Sequence, residues 1–272
     1  MVQLTGNARV DLVGLREITP SPGLAAQVEG MPGPPHRSPW VAAGLSVVVP
    51  GAGEFYSESF WKAAGFFALD VAAWVFAYSY DKKGDRQTDT FQDFANQHWS
   101  VVRYADYALE NLAPSDGNYA GLIKPGTENR PPWERVNWNV LNRMERDISA
   151  TASGQYYSHT LPPYNDQQYY ELIGKYPQFN QGWDDAAPTF VYGDPLTPYF
   201  RSYSEMRGKA NDYYTSASTF VTVAIVNHIL SAADAAWSAA SFNGAHATVG
   251  MQTIPAGDHL ARVPVAKLSY SF

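Results

Sequence analysis

The chain of 272 residues carries 19 Lys and Arg against 26 Asp and Glu, which gives a net charge of −7, and it contains no cysteine. The acidic balance argues against nucleic acid as a partner, and the lack of cysteine excludes disulfides, thiol catalysis and thiolate metal sites. A mean hydropathy of −0.30 is too polar for a chain made only of membrane helices. Tyr and Trp number 18 and 8, a surplus that suits contacts with lipid or with other proteins.

Residues 1–37 are predicted to hold an N-terminal strand and a proline-rich linker. Residues 8–15 alternate weakly between apolar and polar side chains, and residues 19–39 contain six prolines. The stretch from Met1 to Glu17 lacks an apolar core of the length that a signal peptide needs, so no signal peptide is expected there.

Residues 38–86 are predicted to form a helical hairpin that enters a membrane. Two apolar runs, 40–49 and 63–80, flank Pro50 and Gly51, which interrupt a helix and allow a sharp turn. The second run would be about 27 Å long as a helix, close to the ~30 Å of a hydrocarbon core. Aromatic residues lie toward both ends of the hairpin, and a basic cluster follows it: Lys82, Lys83 and Arg86. A buried hairpin in a large soluble core is the alternative.

Residues 87–215 are predicted to hold amphipathic helices and an ordered Tyr- and Pro-rich loop. One helix starts at Thr88 or Asp89 and reaches Leu112; a second follows Pro131 and Pro132 and carries Glu145 on its solvated face. The loop, residues 154–203, is the candidate interaction surface through its aromatic side chains: Tyr169, Tyr170, Tyr176, Phe179 and Trp183. Alternatively, the same rings clamp the loop onto the helices.

The region 154–212 also holds the candidate acid–base groups of an enzyme: His159, Asp166, Glu171 and Asp212. The sequence contains no G-x-S-x-G, no HExxH and no phosphate-binding loop. We therefore assign no catalytic, cofactor-binding or metal-binding residue.

Residues 216–243 are predicted to form a third apolar helix, the second half of a long helix that begins near Tyr203. Asn227, His228 and Asp234 interrupt this run, as Asp70 interrupts the run 63–80. An unpaired carboxylate in an apolar setting loses several kcal/mol. We therefore predict that the two helices pack together, with Asp70 near Asn227 or His228. A proton path through the same groups is the alternative.

Residues 244–272 are predicted to form a small β-hairpin from strands 248–254 and 260–272. The alternation that ends on Phe272 resembles the closing strand of outer-membrane barrels. The hairpin is expected to pair with residues 8–15 or with the sheet edge of a partner.

Three stretches resemble a family of uncharacterised bacterial envelope proteins: SPWVAAGLSVVVPGAGEFYSESFWKAA, YYELIGKYPQFNQGWDD and RGKANDYYTSASTFVTVAIVNHILSAADAAWSA. The shared motif is a Pro-Gly-x-Gly-x-Phe-Tyr hairpin, here residues 50–56, followed by an aromatic-Trp-Lys step, here residues 60–62. The resemblance covers about residues 38–242 and implies a secreted or membrane-bound protein, with no assigned chemistry.

The sequence thus predicts a mainly α, membrane-associated protein: a helical hairpin, a third apolar helix, amphipathic helices, the ordered loop and a C-terminal β-hairpin. The leading function is a structural or scaffolding subunit of a bacterial envelope complex, without a cofactor. The expected partners are membrane lipid and other envelope proteins or further copies of the chain, not nucleic acid. The basic residues near the apolar runs favour the inner membrane, with residues 81–215 in the cytoplasm. The barrel-like tail points instead to the outer membrane.

Overall fold

The computed structural model describes residues 35–151, 156–191, 193–256 and 259–270, and these are mainly helical. The predicted strand 8–15 and most of the linker 19–39 lie outside the described residues, as do 257–258 and 271–272. The elements, in chain order, are α1 (Pro39–Val48), α2 (Ala52–Tyr56), α3 (Phe60–His98), α4 (Val101–Asn111), α5 (Pro132–Arg135), α6 (Trp138–Ser149), α7 (Gln167–Leu172), a 3₁₀ helix (Pro177–Gly182), α8 (Pro198–Gly244), β1 (Ala245–Ala256) and β2 (His259–Tyr270).

The chain divides into two compact units. The first, which we call the hairpin unit, contains the described residues up to Gly65 and from Ile229 onward. The second, which we call the aromatic unit, is Phe66–His228. Because α3 and α8 each contribute to both units, the expected boundaries at residues 86 and 215 fall inside continuous helices.

In the hairpin unit, α1 and α2 are joined at the predicted break. Gly51 has φ +93°, a left-handed conformation that glycine adopts without steric cost. A Cβ on Gly53 would lie 2.6 Å from the Cβ of Ala235 and would collide with the carbonyl oxygen of Ala42. Gly53 therefore lets three backbone segments approach more closely than any larger residue allows.

The predicted helix start at Thr88 or Asp89 is wrong, because α3 continues through the basic cluster to His98. Thr88 is used for a tertiary contact instead: its hydroxyl lies 3.2 Å from that of Tyr214, whose hydroxyl also donates to Asp85 at 3.1 Å. The break comes at Trp99 and Ser100. There the Ser100 side chain accepts a hydrogen bond from the backbone N–H of Arg103 and caps α4.

The helix predicted after Pro131 and Pro132 is divided into α5 and α6. Val136 is extended and forms an isolated antiparallel bridge with Ile123. Asn137 then caps α6 by accepting from the N–H of Val140 at 3.4 Å. The bridge takes Val136 out of the helix and sets the direction of the amphipathic α6.

The tail forms an antiparallel hairpin, with pairing that runs from Ala245 opposite Tyr270 to Ala256 opposite His259. Its first strand starts three residues before the predicted Thr248. The expected pairing of this hairpin with residues 8–15 lies outside the described residues.

Helices α3 and α8 each contain an 18-residue stretch that is long and apolar enough to cross a membrane. Length and composition alone are a limited indication, since the core helix of a soluble protein can share both. In these two stretches, however, only 17% and 22% of the residues are buried within the chain. These two helices are therefore candidates for membrane-spanning segments.

Candidate functional site

The polar groups inside the apolar helices are the first candidate site. Asp70 of α3 and His228 of α8 come together, with Oδ1 of the carboxylate 3.2 Å from Nε2 of the ring. This distance allows an ion pair if the histidine is protonated. Oδ1 of Asp70 nevertheless accepts no well-directed hydrogen bond from the described residues.

Asn227 does not join this pair. Its side-chain amide donates to the backbone carbonyl of Phe66 at 3.0 Å, while its Oδ1 is buried without a partner among the described residues. The side chains of neighbouring helix residues point roughly 100° apart, so Asn227 and His228 contact different residues of α3, Phe66 and Asp70 respectively. Asn227 thus fastens α8 to the backbone of α3.

Asp234 has a partner that the sequence analysis did not assign to it. Lys62, in the first turn of α3, donates from Nζ to Oδ1 of Asp234 at 2.9 Å. The hydroxyl of Ser238 donates to the other carboxylate oxygen at 3.2 Å. Asp234 is therefore paired with a cation near the end of the apolar run.

Glu54 forms a second site, inside the hairpin unit, and is fully buried. The hydroxyl of Ser46 donates to Oε2 at 2.7 Å, and that of Ser231 donates to Oε1 at 2.9 Å. Both hydroxyls accept backbone N–H groups, from Gly53 at 2.9 Å and Gly51 at 2.8 Å respectively. Because a serine hydroxyl has a single proton, each serine is left with that proton to give to the carboxylate.

We call this arrangement the Glu54 cluster, defined by Glu54, Ser46 and Ser231. Its hydrogen bonds connect α2 to α1 through Ser46 and to α8 through Ser231. Glu54 has no ion-pair partner among the described residues, so hydrogen bonds replace a countercharge. Sequence reasoning missed Glu54, although Ser46 was visible as the one polar residue of the run 40–49.

The proposed interaction surface lies in the interior. Trp183 and Phe179 are fully buried, and Tyr169 and Tyr170 are nearly so. Tyr176 is half-buried, and its ring stacks on that of His159 with the ring centroids 3.7 Å apart. These rings pack edge-to-face or tilted on one another and on α3, α4 and α8, and the indole N–H of Trp183 donates to the carbonyl of Ile173. The expectation of an exposed surface is therefore corrected: the aromatics clamp the loop onto the helices.

Glu145 is a buried acid in the aromatic unit, not the solvated residue that was expected. Its carboxylate accepts from the hydroxyl of Tyr104 at 2.7 Å and from the N–H of Leu161 at 2.9 Å. Burial raises the pKa of Glu145 to about 8, while these two hydrogen bonds act in the opposite direction. Its spacing from Leu141 and Ile148, four and three residues, puts Glu145 on the apolar face of α6, so the sequence contained a signal against the predicted solvated position.

The four candidate acid–base residues are not brought together. His159 is bonded to its neighbour Ser158 at 2.8 Å, Asp166 caps α7, and Glu171 pairs with Lys175 at 2.9 Å. The side chain of Asp212 is exposed on α8. Three of the four thus have local structural contacts of their own.

Among the described residues, no group of three or more His, Asp or Glu side chains is placed to hold a metal. Comparison with models of known families, with curated proteins and with solved structures finds no match to this chain.

We predict that Ser231→Ala lowers the stability of the hairpin unit. The change removes one of the two hydroxyl donors to the buried Glu54 side chain, which should reduce the free energy of unfolding by about 1–3 kcal/mol. Ser218→Ala, at an exposed position of the same helix, is the matched control and should change stability by less than about 0.5 kcal/mol. Thermal unfolding of the detergent-solubilised chain measures the difference. Equal melting temperatures for the two variants would show that the Glu54 cluster does not stabilise the hairpin unit.

We also predict a pH-dependent stability that Glu145→Gln removes. The folded-state pKa lies above the ordinary value of 4.5, so the folded chain keeps a proton that the unfolded chain has released. The stabilisation is complete below about pH 4.5 and is lost as the pH rises toward 8, by about 1.4 kcal/mol per pH unit.

Urea unfolding at several pH values between 5 and 8 measures this slope. Glu134→Gln, at an exposed glutamate of α5, should keep the slope of the unmodified chain. A slope that survives in Glu145→Gln would show that another group causes it.

Proposed function

We propose that the protein is a non-catalytic, membrane-embedded structural subunit of a bacterial envelope complex. The observation that carries this proposal is the exposure of large apolar side chains along α1, α3 and α8. On α3 they leave one broad side of the helix exposed between residues 67 and 78: Phe67, Leu69, Val71, Trp74, Val75, Phe76 and Tyr78. Ala73 and Ala77 of the same stretch are buried. A broad apolar surface of this kind is typical of a helix that contacts lipid or another protein.

Removing one large apolar side chain from water contributes roughly 1.5–3 kcal/mol of stability. Leaving such side chains in water along a helix is rare in soluble monomers, and extended apolar patches usually mark contacts with membrane or protein. Lipid, or another subunit, is the surrounding that stabilises these helices.

A structural role is supported by how the polar groups are used. Three polar contacts each join one helix to another: the Glu54 cluster, the hydrogen bond from Asn227 to Phe66, and the ion pair of Lys62 with Asp234. Buried alanines of α8 permit close packing of this helix: Ala217, Ala224, Ala235 and Ala239. Their arrangement suits a stable scaffold.

We predict that Ile229→Arg prevents stable membrane insertion. Ile229 lies near the middle of the run 216–243 and is 64% exposed. An arginine at the centre of a spanning helix costs about 2.5–3.5 kcal/mol on insertion scales, whereas on a water-exposed surface it costs almost nothing. Alkaline carbonate extraction of membranes measures the outcome: the unmodified chain stays in the pellet and the variant is depleted from it.

Val191→Arg is the matched control, because Val191 is 69% exposed but lies outside the long helices. It should behave like the unmodified chain. Full extraction of the unmodified chain by carbonate would contradict membrane embedding. Blue-native gels of mildly solubilised membranes test the subunit role, and a monomer at every detergent level would count against it.

A component of a proton path is the second candidate function, favoured by the 3.2 Å contact between Asp70 and His228. The two functions predict different results for Asp70→Asn. In the structural role the amide keeps a polar group beside His228 and assembly is retained, whereas Asp70→Leu removes the polar contact with Nε2 of His228 and lowers stability by about 0.5–1.5 kcal/mol.

Proteoliposomes with an enclosed pH-sensitive dye separate the two functions. We expect Asp70→Asn to keep the melting temperature and to leave proton permeability equal to that of the unmodified chain. A proton flux in the unmodified chain that disappears in a folded Asp70→Asn variant would instead establish the proton path.

A further inference from the structure

The hairpin unit contains an open groove of about 360 Å³ whose lining is unusual for an apolar protein surface. It combines one ammonium group, four serine hydroxyls and two aromatic rings: Lys62, Ser57, Ser59, Ser238, Ser241, Trp237 and Phe242. A purely apolar groove would suit an acyl chain or a helix. This one carries several hydrogen-bond donors in one place.

Some of these donors are available for a ligand. Lys62 donates to Asp234 at 2.9 Å and to Ser238 at 3.2 Å, which leaves one of the three N–H bonds of an ammonium group. The hydroxyls of Ser59 and Ser241 make no hydrogen bond to the described residues. The groove therefore offers one charged and two neutral donors, the set that a phosphate oxygen accepts from.

The groove lies at helix ends. Lys62 is in the first turn of α3, directly before the apolar run 63–80, and Ser241 is in the last turn of α8. Two tryptophans beside these positions face outward, Trp61 with 93% exposure and Trp237 with 74%. Tryptophan is enriched where hydrocarbon meets headgroups, so the proposed membrane function would place the groove at the level of the interface.

Two ion pairs border the groove, although only Lys62 belongs to its lining. Lys62 is paired with Asp234, and Arg37 is paired with Glu58 at 2.8 Å while its guanidinium lies 5.4 Å from the ring of Phe242. Each pair places a positive group and a carboxylate beside the groove. An anionic headgroup would use only half of this arrangement, and a zwitterionic headgroup uses both halves.

We propose that this groove binds the headgroup of a zwitterionic phospholipid with a primary amine, a phosphoethanolamine headgroup. The phosphate takes the remaining N–H of Lys62 and the hydroxyls of Ser59 and Ser241. The amine takes the free lone pairs of the Asp234 carboxylate. The site rests on the proposed membrane function, and it adds a specific lipid to the general contact with the bilayer.

Native mass spectrometry of the full, delipidated chain in detergent tests the site, with phosphatidylethanolamine as the probe. We expect a bound-lipid adduct that falls at least fivefold in Lys62→Gln, which keeps a hydrogen-bond donor for Asp234 but removes the charge. Ser241→Ala, at an exposed position, should weaken binding two- to threefold. Lys175→Gln, at a similarly half-exposed lysine paired with Glu171, is the control and should bind like the unmodified chain.

Four results would overturn the proposal. Equal adducts in Lys62→Gln and the unmodified chain would remove the role of the ammonium group, and equal binding of diacylglycerol would show that acyl chains alone are held. Equal binding of phosphatidylglycerol would exclude the zwitterionic preference. Soluble phosphoethanolamine that binds as tightly as the lipid would make the ligand a soluble phosphate ester.

Carbonate extraction of the membranes from which the chain is purified separates this proposal from the proposed function. A chain that resists extraction but binds no phosphatidylethanolamine defeats the lipid site alone. A chain that carbonate removes from the membrane defeats the membrane function itself.

Discussion

The hairpin unit depends on one buried polar side chain. Glu54 lies between helices in a fully buried position, which is tolerable because the hydroxyls of Ser46 and Ser231 donate hydrogen bonds to its carboxyl oxygens. The serines in turn are held by the N–H groups of Gly51 and Gly53, the two residues that form the turn. Turn and carboxylate therefore require each other: without the turn the hydroxyls lose their orientation, and without the acid they lose their acceptor.

The aromatic unit is built on a different principle. Its loop is ordered by rings that pack on each other and by indole and phenol groups that bond to backbone carbonyls, such as Trp99 with Phe179 and Tyr203 with Tyr170. Aromatic side chains have few rotatable bonds, so a loop fixed by them loses little side-chain entropy on folding. This explains how a stretch rich in Pro, Asn and Gly is ordered with little regular secondary structure.

The sequence predicted the elements that depend on local signals and failed where tertiary contacts decide. The break at Pro50 and Gly51 and the long apolar helices follow from residue type and periodicity. The continuation of α3 past Thr88 did not, because its partner Tyr214 lies 126 residues away in the chain. Glu54 and Glu145 were missed for a related reason: glutamate is usually solvated, and only hydrogen bonds from distant segments make its burial possible.

Five of the eight tryptophans lie at the two extremes of burial. Trp99 and Trp183 are buried, and their indole N–H groups donate to carbonyl oxygens. Trp40, Trp61 and Trp237 are among the most exposed side chains. The intrinsic fluorescence therefore combines buried indoles, which report the packing of the aromatic unit, with exposed indoles, which the proposed membrane function makes accessible to a brominated lipid. A single emission spectrum thus records both the folding of the chain and the surroundings of its exposed tryptophans.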